Sequence, residues 1–230
     1  MNEFLQIVIE YISVFIAIVI VLPFHEFAHA YAAVKNGDLT PKVYGRYTLN
    51  PMAHFDPIGL LMFLFAHFGW AKPVPVNPYN FRNQKKGMLM VSLAGVTANY
   101  IMAILIFPVA ALIWKYFNAG NLILNNLVLL SFYYIFALSL VSVVFNLIPV
   151  FPLDGFRVVD ALSKRKGSVY TFLEKYGMYI LLGLFVISMA ADYMNKPQFD
   201  ILGQFLSFMR NVIGWPIREF WGLFGLTLPN

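Results

Sequence analysis

The sequence predicts an all-α polytopic membrane protein with about four to six transmembrane helices, and three observations predict it. The 230 residues are 60% hydrophobic and only 12% charged, where soluble domains carry about 25% charged residues. The mean hydropathy is +0.70. The apolar residues also gather into runs long enough to cross a bilayer, which takes about 20 residues of helix. The chain has no cysteine, which excludes disulfides and thiolate ligands, so any metal must sit on histidine, carboxylate or water. The net charge of +5 does not point to nucleic acid. The basic residues stand between apolar runs, where membrane topology accounts for them.

Each element follows in order. Residues 4 to 34 form one apolar run, longer than a span requires. Glu3 and Glu10 stand where a signal peptide would be basic, and no lysine or arginine precedes Lys35. The run is therefore expected to stay in place as a span. Its surplus length carries His25-Glu26-Phe27-Ala28-His29 behind Pro23. Pro23 lacks an N–H, frees the Val19 carbonyl and is expected to kink the helix. A polar stretch follows, punctuated by Pro41, Pro51 and Pro57. Residues 58 to 69 are apolar but too short to span, so they read as re-entrant or interfacial. "WAKPVPVNPYNF" at 70 to 81 is proline-rich and extended. A re-entrant and extended loop is thus expected between the first two spans.

Residues 88 to 114 read as the second span, 118 to 126 as a turn, and 127 to 148 as the third span. A basic loop from Arg157 to Lys175 leads to a shorter fourth span at 177 to 193. In the last segment Ile201, Phe205, Phe208 and Val212 fall at helical spacing, which suits either a further span or an interfacial helix. The expected organisation is a single domain over 1–230. Its core covers about 4–160, with C-terminal helices over 161–230, and no stretch suggests a repeat or an appended soluble domain.

Basic residues set the orientation. Lys35, Lys42, Arg46, Lys72, Arg82, Lys85 and Lys86 lie between spans one and two. Arg157, Lys164, Arg165, Lys166 and Lys175 lie between spans three and four, and Lys115 alone lies in the intervening loop. The positive-inside rule then puts the N-terminus outside and both basic loops in the cytoplasm of a cell membrane. The 25–29 stretch and Asp154 consequently approach the same face.

An ionisable side chain at membrane depth costs about 2.5–3.5 kcal/mol or more, so its default explanation is function. His25 and His29 are four apart, so on a helix they share a face and can reach one zinc ion. Glu26 is turned about 100° away, free to act as general base on a water rather than as a ligand. The competing reading is a buried polar cluster that only holds helices together. A catalytic zinc site usually takes three protein ligands. Residues 30 to 36, AYAAVKN, lack the metzincin extension. His54 and His67 are candidates for the third ligand. Asp154 is the better one, a carboxylate in the apolar setting "FPLDGF", although an Asp-Gly pair is also an ordinary turn.

These residues together resemble the site-2 proteases, zinc metalloproteases that cut within membranes. Their H-E-x-x-H is matched by His25, Glu26 and His29. Their N-x-x-P-x-x-P-x-D-G segment is matched by Asn146, Pro149, Pro152, Asp154 and Gly155. "SLAGVTAN" resembles their middle-span Gly-x-x-x-Asn, through Gly95 and Asn99. The likeness covers roughly residues 20 to 160 and is strongest to the short prokaryotic members without a sensor domain. It implies one Zn2+ per chain on His25, His29 and Asp154, with Glu26 as base. It further implies Asn146, and less directly Asn99, in contact with substrate. Interhelical hydrogen bonding is the other reading of both asparagines. Val96 and Phe156 depart from the usual proline and small residue. "GWAKPVPVN" resembles a loop whose extended backbone could pair with an unwound substrate, although Pro73 and Pro75 each remove a donor.

The resemblance implies hydrolysis of peptide bonds in or near transmembrane segments of substrate proteins, in a lipid bilayer and without nucleic acid. A zinc transporter would need further metal-binding residues on neighbouring spans. An inactive, membrane-protein-binding relative would not need His25, Glu26, His29 and Asp154 all intact. A prenyl-protein endoprotease would leave the Asp-Gly segment unexplained.

Overall fold

Asn2 starts the first helix by accepting a hydrogen bond from the Leu5 N–H at 2.9 Å, which satisfies one of the unpaired donors of a helix N-terminus. The computed structural model describes residues 2–66, 69–163 and 165–228. Helix α1 runs Glu3–Lys35 without a break at Pro23. Asn36 ends it, and Gly37 turns the chain at φ +108°, a backbone conformation natural only to glycine. A short α2 (Thr40–Val43), a 3-10 turn (Pro51–Ala53) and α3 (Pro57–Ala66) follow. At 10 residues, α3 is too short to cross a bilayer, in line with the sequence. Residues 69–77 form no helix, Phe55 and Ala71 pair in an isolated antiparallel bridge, and the Lys72 N–H donates to the His54 carbonyl at 2.8 Å.

Asn83 and Asn121 cap the next two helices, α4 (Gln84–Tyr116) and α5 (Leu122–Leu147). These caps start both helices a turn or more before their apolar runs begin. Helix α6 (Asp154–Leu162), α7 (Ser168–Tyr193) and α8 (Ile201–Gly222) complete the chain. Helix α7 begins well before the expected 177, because its polar first turns need no bilayer to be helical. Four helices, α1, α4, α5 and α7, are long and apolar enough to cross a membrane, and among the described residues there is no strand.

Helices α1, α4 and α5 form the core. Their contacts use small residues: Ser13, Ala17, Ala103, Ala110, Ser131 and Ser139 are all buried, which lets apolar helices approach closely in lipid. Many of the large side chains point outward, with Phe4 at 74% and Ile7 at 47% exposure. The Tyr134 hydroxyl donates to Glu10, pinning α5 to α1. Helix α8 carries Arg210, Arg218 and Glu219 and is not among the four candidate spans. It lies against α4 and α5, with Ile217 packed among Phe107, Phe136 and Leu140. The Trp221 Nε1–H donates to the Ile104 carbonyl at 3.1 Å.

A buried carboxylate ties the extended loop to the end of α1. Asp38 accepts from the Thr40 N–H at 3.0 Å, the Asn77 N–H at 2.7 Å and Asn80 Nδ2 at 2.8 Å, and the Thr40 hydroxyl also donates to it. Burial alone would push its pKa up. The hydrogen bonds from Thr40, Asn80 and Asn77 outweigh that and hold the carboxyl below its ordinary value. A lowered folded-state pKa means that the stabilisation is complete above the unfolded value of about 3.9 and is lost as pH falls through the folded one. The loop 69–81 is therefore expected to become protease-sensitive only as pH falls below the ordinary carboxylate range and through the lowered folded-state value. Asp38→Ala should open it at neutral pH, since one hydrogen bond to a charged group is worth about 1.5–3 kcal/mol. Limited proteolysis across pH, read by mass spectrometry, checks both. Unchanged cleavage of this loop in the variant would remove Asp38 as its tether.

Candidate metal centre

Three side chains from two distant segments meet where the C-terminal part of α1 adjoins the N-terminus of α6. His25 and His29 share one face of α1, and Asp154 is the first residue of α6. Their exposures are 7%, 4% and 5%. The two Nε2 atoms are 3.0 Å apart. Asp154 Oδ2 lies 3.3 Å from His25 Nε2 and 3.1 Å from His29 Nε2. The turn that delivers Asp154 depends on Gly155, whose missing Cβ would fall 2.4 Å from the Leu147 carbonyl oxygen. Arg157 Nη1 stands 3.8 Å from the other carboxylate oxygen.

This triangle suits a metal. Tetrahedral zinc with bonds of about 2.0–2.1 Å keeps its ligand atoms about 3.3–3.4 Å apart, close to the spacings here. The His29 Nδ1 lies 2.7 Å from the Val91 carbonyl. A carbonyl only accepts, so Nδ1 carries the hydrogen, and in the neutral imidazole that a metal requires Nε2 presents a lone pair. Asp154 Oδ2 is buried, yet no well-formed hydrogen bond reaches it. Three electron-rich atoms turned on one another in a buried place call for a cation. Among the described residues, His25, His29 and Asp154 are the one group of three such side chains able to share an ion.

Helix α4 supplies the floor. A Cβ on Gly95 would stand 2.5 Å from His29 Nε2 and 2.6 Å from His25 Nε2, so only glycine lets the two rings lie where they do. One turn on, Asn99 is completely buried, with Nδ2 2.8 Å from Ser142 Oγ and 3.2 Å from His25 Nδ1. It has no exposed surface in this structure. Asn146 is half-buried and donates to the Ser142 carbonyl at 3.0 Å and to Ser142 Oγ at 3.3 Å. Phe156 is buried between Phe151 and Tyr170, and Val96 is buried in α4.

Glu26 stays outside the triangle. Its Oε2 accepts from the Val74 N–H at 3.2 Å, so the extended Pro73-Val74-Pro75 segment lies against the carboxylate. His54 is not part of the centre. It is fully buried, with Nε2 2.8 Å from the Thr48 carbonyl, and it braces the loop. His67 lies outside the described residues. Sequence reasoning missed Ser142 and the Val74 N–H. Ser142 precedes Asn146 by four, on the same helix face, which was the available signal; a backbone N–H leaves none.

Comparison with known proteins settles the family. Over 173 residues the chain is 40% identical to "Putative zinc metalloprotease YwhC" of Bacillus subtilis, a match covering 74% of this chain and 78% of the relative. The chain belongs to the site-2 protease family. It is accordingly a zinc metalloprotease, a hydrolase with apolar membrane helices. Two further site-2 protease relatives are each named "Putative zinc metalloprotease Rip2". The one from Mycolicibacterium smegmatis is 26% identical, the match covering 87% of this chain and 76% of the relative. The one from Mycobacterium tuberculosis is 28% identical, covering 77% and 70%. No family model and no solved structure matches the chain.

Proposed function

We propose that the chain is an intramembrane endopeptidase, hydrolysing peptide bonds in or near the transmembrane segments of membrane proteins. The observation that carries this reading is the buried His25–His29–Asp154 triangle at the end of a membrane-length helix, with Glu26 beside it. His25, His29 and Asp154 would hold one zinc ion per chain. Zinc there supplies a Lewis acid that acidifies water and polarises a carbonyl. Glu26 takes the proton from the attacking water and returns it to the leaving amine. Its hydrogen bond to Val74 orients the carboxylate. Asn146, half-buried at the end of α5, is the side chain for the substrate backbone. The extended segment is the edge for an unwound substrate, with Pro73 and Pro75 lacking donors and the Val74 N–H engaged by Glu26.

The basic loops argue for a cell membrane, with the N-terminus outside and the site nearer the cytoplasm. A single metal-capable group among the described residues disfavours a transport path, which needs ligands across the membrane.

The test is the zinc content of purified wild type beside Asp154→Ala, followed by cleavage of single-span proteins in liposomes. About one zinc per chain, lost in the variant, with cuts mapped inside the span, is the expected result. Zinc retained in Asp154→Ala would place the third ligand elsewhere. Cuts confined to soluble domains would end the intramembrane reading.

A further inference from the structure

A chain of polar side chains leaves the metal centre through the helix core, and the reaction as described leaves most of it without a task. It runs from His25 on α1 to Asn99 on α4, then to Ser142 and Asn146 on α5. Asn99 is fully buried, and its Oδ1 has no hydrogen-bond partner.

The two ends of an amide have nearly the same shape, so their partners decide which end faces which. His25 Nε2 points at His29 Nε2 and Asp154 Oδ2. A neutral imidazole that gives its Nε2 lone pair to a metal carries its hydrogen on Nδ1. That hydrogen needs an acceptor. His29 has the Val91 carbonyl; the contact at His25 Nδ1 is the Asn99 amide at 3.2 Å. With Nδ2 turned to His25, two donors would face each other. With the amide reversed, Oδ1 accepts from His25 Nδ1 and from the Ser142 hydroxyl, and Asn146 Nδ2 donates into Ser142 Oγ. Every link from His25 to Asn146 then runs from donor to acceptor, and Nδ2 takes the amide position that has no partner.

We infer that Asn99 is a positioning residue of the metal centre, its amide oxygen fixing the His25 tautomer and ring rotation, with Ser142 holding the amide in that sense. The inference rests on the metal reading above and assigns Asn99 to the ligand rather than to substrate. It requires a buried acceptor, not merely a side chain of the right size.

The experiment is a Zn2+ titration of metal-depleted full-length protein in detergent, with the Co2+ visible spectrum and the melting temperature of the metal-depleted form. Asn99→Leu keeps the bulk and removes the acceptor, and should weaken zinc binding about 10–100-fold and shift the Co2+ bands. Asn99→Asp restores an acceptor and should return the affinity and the spectrum towards wild type. Ser142→Ala, a milder change that guards against misfolding of the leucine variant, should weaken binding about 2–10-fold, the worth of one neutral hydrogen bond. Equal affinity in wild type, Asn99→Leu and Ser142→Ala overturns the inference, as does a lower melting temperature without any change in affinity or spectrum. If wild type itself takes up no zinc, or Asp154→Ala binds as tightly, the metal reading fails instead, and the two failures are told apart.

Discussion

Gly95→Ala is expected to empty the metal centre. The added Cβ would lie 2.5 Å from His25 Cε1 and from His29 Nε2, and 2.6 Å from His25 Nε2. Those atoms are not the free ends of flexible side chains. One ring is fixed at Nδ1 by the Val91 carbonyl, the other touches the Asn99 amide, and both rise from one rigid helix. Either α4 retreats from α1 or the rings turn away. Retreat would open the packed core that α4 shares with α1 and α5, and overpacking of this kind typically costs about 1–3 kcal/mol. Rotation would break the close spacing that lets three atoms share one ion. Zinc measured by mass spectrometry should therefore fall far below one per chain, with proteolysis lost and helical content by circular dichroism kept. Full zinc at an unchanged melting temperature would show that α4 yields freely, and would remove Gly95 as the floor of the site.

That result bears on how much a sequence can disclose. His25, Glu26 and His29 were legible because their spacing has a direct helical meaning, and because charged groups in an apolar run demand a reason. Asp154 was legible as a candidate from its apolar setting and membrane face, although spacing alone left His54 and His67 beside it. The four membrane-length helices followed from hydropathy. What hydropathy could not disclose was where polar turns continue a helix, so α7 begins at Ser168 rather than at 177. It also left open α8, whose one buried face depends on partners in α4 and α5. Gly95 and Asn99 were visible only as a motif. Their physical roles, a missing Cβ beneath two imidazoles and an amide against a ring nitrogen, exist only once α1 and α4 are in contact. Ser142 and the Val74 N–H are further still from the sequence. The first is one serine among several in α5, and the second is a backbone atom whose importance comes from the prolines on either side of it.

Glu26→Gln should separate the chemistry from the site that houses it. Glutamine keeps the volume of the side chain, and its amide oxygen can still accept from the Val74 N–H, so the extended segment should hold its place. It has no carboxylate to take a proton from water. Loss of a general base usually costs about 10²–10⁴-fold in rate, and cleavage of a reconstituted substrate should fall by at least that much. Zinc content should be unchanged, because Glu26 lies outside the His25–His29–Asp154 group. Val74→Pro is the complementary change. The segment is already extended between Pro73 and Pro75, so a third proline suits its backbone, while the one N–H that holds Glu26 disappears. This variant keeps the base but frees its orientation, and should lose activity by about 10–100-fold, the worth of one hydrogen bond to a charged group. In the double variant the Val74 change should add nothing, since no base remains to be oriented. Additive losses in that cycle would mean that Val74 acts on the substrate instead of on Glu26. Glu26→Gln that cleaves at the wild-type rate would remove Glu26 from the reaction altogether.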